Sequence, residues 1–203
     1  DFYKLRDIKD ALEEKCEEYA ATYEALSNIN PSESDIKYHN KISIAYNDTY
    51  VTSTTDFSSC VVAKLDTEHD LAIIQLKNKK TPEDKYIFTV EEEDPLEVYN
   101  LKENITKKIS EDKNSKLFMM SFNLGPTLAM TKEGIKSQFN GGTISQRTDD
   151  RLMYSIPALP GSSGSPVVNL RGQLVAINYA GINTTQSFNY GIRVKHLRNL
   201  IMK

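Results

Sequence analysis

Three serines, two glycines and two prolines crowd into Pro160-Gly161-Ser162-Ser163-Gly164-Ser165-Pro166, directly before the apolar pair Val167-Val168. Glycine permits positive φ and close backbone approach, so such a loop can aim successive N–H groups at one point. A serine held there has an exposed hydroxyl beside backbone donors, which is what an acyl-transfer nucleophile and its oxyanion require. Any three-residue piece of the run reads equally well as an ordinary Ser/Gly turn between strands. A serine hydroxyl also needs a base to take its proton, and the chain offers three histidines for that work: His39, His69 and His196.

The run Gly161-Ser162-Ser163-Gly164-Ser165-Pro166 resembles the nucleophile loop of chymotrypsin-fold (trypsin-like) serine proteases. The following Val167–Asn178 resembles the hairpin after that loop in the Deg-type branch, two strands around an Arg171-Gly172 turn. By position in the motif the resemblance makes Ser163 the nucleophile and assigns the oxyanion hole to the N–H groups of Gly161 and Ser163. Asp70-Leu71-Ala72-Ile73-Ile74 resembles the segment whose aspartate orients the catalytic histidine. Asp70 alone could instead cap a strand edge. Beside the serine loop, the catalytic reading calls for a buried carboxylate that fixes the imidazole tautomer.

The base is where the resemblance breaks. The family's histidine precedes the strands matched by residues 42–63, in a Thr-Ala-Ala-His or Thr-Asn-x-His segment that this chain lacks. His69 adjoins Asp70, and neighbours on an extended strand point to opposite faces. His196 falls in the terminal helix, where the family has no catalytic residue. His39 precedes Asp70 at a spacing close to the family's, yet Lys37-Tyr38-His39-Asn40 lacks the motif, follows a helix rather than strands, and reads rather as exposed loop. The family's opening strands are missing too. The chain begins at Asp1 rather than Met, which reads as a processed or excised piece. The expected account is a preceding segment, associated or lost, that carries those strands and the histidine.

The elements that must position these residues follow from periodicity. Leu5, Ile8, Leu12, Cys16, Tyr19, Tyr23 and Leu26 recur every three or four positions, which predicts an amphipathic helix over residues 3–27. From residue 42 alternation takes over. The expected organisation is a single trypsin-like peptidase domain over 1–203: helical insertion or extension (1–41), part of a first barrel (42–76), a charged connection (77–116), then a second barrel and closing helix (117–203). The fold class is thus all-β, a two-lobed double β-barrel with an added N-terminal amphipathic helix and a short C-terminal helix. The closing helix covers 195–202, with Leu197, Leu200 and Ile201 on one face. Within the connection, Asp94-Pro95 has the residues of a helix start, and the charge runs read as solvated surface.

The 203 residues give ample length for a core, with 39% hydrophobic and 26% charged residues and a net charge of −3. No basic excess points to nucleic acid, and no apolar run has membrane-spanning length. No cofactor or metal is implied, and Cys16 and Cys60 fit no metal spacing and read as free buried thiols. No signal segment shows, so localisation stays open.

The resemblance implies a peptide or protein substrate. Specificity for the residue before the cut is set near Pro157 and Ala158, and Asn178, Tyr179 and Ala180 lie on the strand that pairs with substrate backbone. No acidic residue stands at Pro157, so an uncharged small-to-medium side chain is expected, with Tyr179 narrowing the pocket. Ser162 replaces the aspartate that in digestive proteases pairs with a new N-terminus. Three readings stay open: a serine endopeptidase; a catalytically silent module binding peptides by strand addition along 176–181; and a viral-type or phage-encoded processing protease.

Overall fold

A computed structural model describes residues 2–30, 40–96, 115–181 and 188–203. His39 and most of the charged connection lie outside them. The chain divides into two units, residues 1–40 and 41–203.

The first unit is the predicted helix, α1 (Phe2–Ser27). Along it Leu12, Tyr19, Tyr23 and Leu26 are exposed, and Lys9 pairs with Glu13 at 2.8 Å. Cys16 is exposed rather than buried as expected; Cys60 is buried, and both are free thiols. No described helix is long and apolar enough to cross a membrane.

In the second unit β1 (Ile42–Ile44), β2 (Ser58–Asp66) and β3 (Leu71–Leu76) form a three-stranded antiparallel sheet in the order β1-β2-β3. It is thin: Cys60 and Leu71 are buried, while Val61, Val62, Leu65 and Ile74 are exposed. The second lobe follows with β4 (Lys116–Ser121), the short α2 (Pro126–Ala129), the hairpin β5 (Met130–Thr131) and β6 (Gly134–Ile135), and β7 (Gln138–Arg147). Then come β8 (Arg151–Tyr154), β9 (Pro166–Asn169), β10 (Leu174–Gly181), β11 (Asn189–Arg193) and the closing α3 (Val194–Met202). Its six long strands close a barrel in the order β10-β11-β8-β7-β4-β9.

Alternation explains the barrel core. Leu117, Met119 and Ser121 point inward from β4, Leu152 and Tyr154 from β8, and Val167 and Val175 meet them. Burying such side chains is worth about 1.5–3 kcal/mol each. Leu71, Ile192 and Leu200 form a second cluster with Ile73, Ile177, Tyr179 and Leu197, which fastens β3 and α3 to the barrel. Ile201, expected on the packed face of α3, is exposed, and His196 is buried instead. The hairpin β5–β6 also grips the first lobe: Asp48 N–H donates to Ile135 and Ile135 N–H to Thr49, both at 2.8 Å.

The connection departs from the expected solvated surface at one point. Asp94 is buried, with Oδ2 2.8 Å from Arg193 Nη2 and 3.1 Å from Arg193 Nε. Two charges removed from water together must satisfy each other, and removing either would strand its partner. Asp94 Oδ1 also accepts the Leu96 N–H, closing a turn rather than a helix among the described residues.

Candidate active site

The Ser/Gly run forms a tight loop between Ile156 and β9, positioned from three sides. On one side it presses on the end of β4: Leu124 N–H donates to Pro160 at 2.7 Å, and Leu159 N–H donates to Asn123 Oδ1 at 2.7 Å. Asn123 is fixed in turn by its Nδ2–H on Ser121 Oγ and its N–H on Gln138 Oε1. Gly161 has φ +95, and a Cβ there would fall 2.6 Å from Gly125 N and 2.8 Å from Phe122 O. Only glycine fits that approach.

On the second side the loop is tied to β10. Gly164 N–H donates to Asn178 O at 2.7 Å, and Asn178 N–H to Ser165 O at 2.9 Å. From inside, the Asn178 amide donates to Ser162 O and to Ser162 Oγ, and its Oδ1 accepts from Tyr154 OH at 2.7 Å. Burial holds the Tyr154 phenol well above the ordinary tyrosine pKa, so it stays a donor. Asn178, expected on the substrate-binding strand, is 2% exposed and its side chain is fully engaged in this clamp.

The three serines are thereby sorted. Ser162 is 3% exposed and donates its hydroxyl to Leu159 O; Ser165 is buried; Ser163 is exposed, with Oγ 3.2 Å from Tyr179 O. The N–H groups of Ser162, Gly164 and Ser165 are donated within the loop and clamp, whereas those of Gly161 and Ser163 take no partner among the described residues. Ser162→Ala removes the hydroxyl's bond to Leu159 O and the longer one it accepts from Asn178 Nδ2, while Asn178 Nδ2 keeps its bond to Ser162 O. It is expected to lower stability by about 1 kcal/mol and to leave Ser163 as reactive toward an acylating probe as before, read by thermal melting and labelling in parallel.

The other expected site residues are placed as follows. Pro157 is exposed and Ala158 packs on the barrel core. Tyr179 is half-buried, with the Arg151 guanidinium 5.4 Å from its ring centroid, and the Ala180 backbone pairs with Tyr190. Residues 176 and 177 of β10 pair with both β9 and β11, so the strand edge open to a peptide narrows to 179–181 among the described residues.

Asp70 is exposed at φ +53, the last residue of the turn before β3. The capping role belongs to Asp66 instead: its Oδ1 accepts the N–H groups of Glu68 and His69, and its Oδ2 lies 2.9 Å from His69 Nδ1. These bonds hold the Asp66 carboxyl below the usual range, the His69 side chain contributing most. His69 stacks on His196 with centroids 3.8 Å apart, and His196 Nε2 lies 3.1 Å from Asp150 Oδ1. Burial foremost, and the adjacent His69, lower the His196 pKa. Neither imidazole is hydrogen-bonded to Asp70 or Ser163 among the described residues. Asn123, Asn178 and Tyr154 were not singled out as loop clamps from sequence; an amide directly after a strand, as at Asn123, is the one local signal.

A closed six-stranded barrel bearing an exposed serine on a clamped glycine loop defines a chymotrypsin-type architecture. Comparison with protein families agrees: the trypsin-like peptidase domain model matches residues 28–177. The chain belongs to that family. Among solved structures it is similar to the serine endoprotease from Yersinia pestis, with TM-score 0.50 and 16% identity over 72% of this chain and 44% of that one. It is equally similar to a serine-to-alanine variant of the HtrA-type protease AlgW with a decapeptide, with TM-score 0.50 and 16% identity over 72% and 40%. The chain therefore spans less than half the length of either structure, and the likeness is one of fold. No curated protein sequence matches it.

Proposed function

We propose that the chain is a serine endopeptidase acting by acyl transfer, with Ser163 as nucleophile. The observation that carries this reading is the sorting of the loop: one exposed serine, clamped neighbours, and two N–H groups, those of Gly161 and Ser163, that take no partner among the described residues. In the reaction Ser163 Oγ bonds to the substrate carbonyl carbon as its proton passes to a base. The carbonyl oxygen gains the negative charge and is met by the two N–H groups. The C–N bond then breaks, the amine leaves with the proton, and water hydrolyses the ester by the same steps. Asp70 orients the base, which is a histidine other than His69 and His196, since neither of those is hydrogen-bonded to Asp70 or Ser163 among the described residues. Pro157, Ala158 and Tyr179 shape the site for an uncharged side chain before the cut, and Ala180 lends backbone. A substrate is a peptide or protein, and an upstream segment carrying the base is the proposed partner.

A second reading is favoured by the Ser163 hydroxyl pointing at the Tyr179 carbonyl rather than at an imidazole. In it the fold binds peptides along 179–181 without cutting them. A fluorophosphonate probe separates the two, because it forms a phosphonyl ester only with a base-activated serine. Labelling mapped by peptide mass to Ser163 is expected. Absence of labelling, both in this chain and in one extended upstream, would leave the binding module.

A further inference from the structure

We propose that His69, His196 and Asp150 form a three-ligand site for a divalent transition metal of zinc type, outside the serine loop. The three residues come from separate elements: the turn before β3, helix α3, and the turn between β7 and β8. Their ligand atoms all lie within 4.8 Å of one another.

Each ligand is prepared differently. His69 hydrogen-bonds through Nδ1 to Asp66 Oδ2, which places the proton on Nδ1 and leaves the Nε2 lone pair for a metal. A carboxylate behind a ligating imidazole is the usual outer partner at such sites. His196 is 8% exposed, and its Nε2 is buried without a hydrogen-bond partner. Asp150 Oδ1 is 3.1 Å from that nitrogen, within reach of its charge but out of line for a hydrogen bond. A buried ring nitrogen left without a partner costs free energy unless something else satisfies it. Asp150 is exposed, which gives a metal and its remaining water a path from solvent.

The donor set of two imidazoles and one carboxylate, with a fourth position open, suits zinc. Bonds of about 2.0–2.1 Å in a tetrahedron set ligand atoms roughly 3.3 Å apart. The His196–Asp150 pair already stands at 3.1 Å, and His69 joins it by tilting out of the 3.8 Å ring stack. The bound ion would tie the turn that ends in Asp70 to α3 and to the second lobe.

The test uses the full chain, stripped with a chelator and dialysed. Titration with Co²⁺ is expected to give a saturable visible band of four-coordinate type at one equivalent, displaced by Zn²⁺. His69→Ala and Asp150→Asn change residues outside the barrel core, and each is expected to weaken binding at least tenfold. Asp66→Asn, which keeps a carbonyl oxygen for the Glu68 and His69 N–H groups and replaces the oxygen behind His69 Nδ1, is expected to weaken it about tenfold. Circular dichroism confirms that each variant is folded, and His196→Ala is added where it folds. No one-equivalent saturation below millimolar Co²⁺, or equal affinity in His69→Ala and Asp150→Asn, would overturn the proposal.

Discussion

Replacing Ser163 by alanine is expected to lower the rate of peptide cleavage by roughly 10⁴–10⁶-fold, while the melting temperature stays within a degree or two. The size follows from the role: a nucleophile acts as a unit with its base, so removing it forfeits the covalent route and leaves only what the N–H groups and substrate binding provide. The small stability change follows from position, since Ser163 is exposed and, among the described residues, its hydroxyl makes a single 3.2 Å bond, to Tyr179 O. Ser165→Ala is the informative control. Ser165 lies two residues away in the same loop but is buried, and its N–H donates to Ser162 O. It should keep cleavage within a few-fold and lose some stability. Were Ser163→Ala and Ser165→Ala to lose cleavage equally, the assignment of the nucleophile to Ser163 would fail.

The sequence carried the parts of this fold that are local. Ser163 and its flanking glycines stand in one loop. The Val167–Asn178 hairpin and the Leu71–Leu76 strand are short apolar runs, the hairpin turning at Arg171-Gly172. What it could not show were contacts made across the chain. Asp94 sits in a run of acidic residues that reads as solvent-facing, and only Arg193 on β11, brought up by barrel closure, makes its burial sensible. Asn178 looked like a residue facing substrate because its strand does; its partners Ser162 and Tyr154 lie on other elements. The histidine cluster shows the same division. Asp66-Thr67-Glu68-His69 is a short-range turn pairing that spacing could have suggested, whereas the meeting of His69 with His196 and Asp150 depends on how α3 closes over both lobes. The serine loop's base is a further case: the motif implies a histidine, and the two described ones are bonded to neither Asp70 nor Ser163.

The clamp makes a strong prediction of its own. Asn178→Ala is expected to destabilise the folded chain by about 3 kcal/mol and to lower Ser163 labelling by at least tenfold at a temperature where the variant is still folded. Three hydrogen bonds disappear together: Tyr154 OH to Oδ1, and Nδ2 to Ser162 O and Ser162 Oγ. The deletion is worse than a simple loss of bonds, because the Tyr154 hydroxyl remains buried in the barrel with no acceptor. A second substitution separates that penalty from the loop's own needs. Tyr154→Phe removes the stranded donor while leaving both Asn178 bonds to Ser162 intact, so it should cost about 1 kcal/mol and leave labelling nearly unchanged. In the double variant Tyr154→Phe with Asn178→Ala the stability loss should be smaller than the sum of the two, since no hydroxyl is left unsatisfied. Labelling should stay as low as in Asn178→Ala, because Ser162 has still lost its tether and, on its β10 side, the loop that presents Ser163 is held by backbone bonds alone. Denaturant melts of the four proteins, with probe labelling in parallel, test both halves. Additive stabilities would mean that Tyr154 finds another acceptor, and full labelling in Asn178→Ala would mean that the side-chain clamp is not what positions the nucleophile.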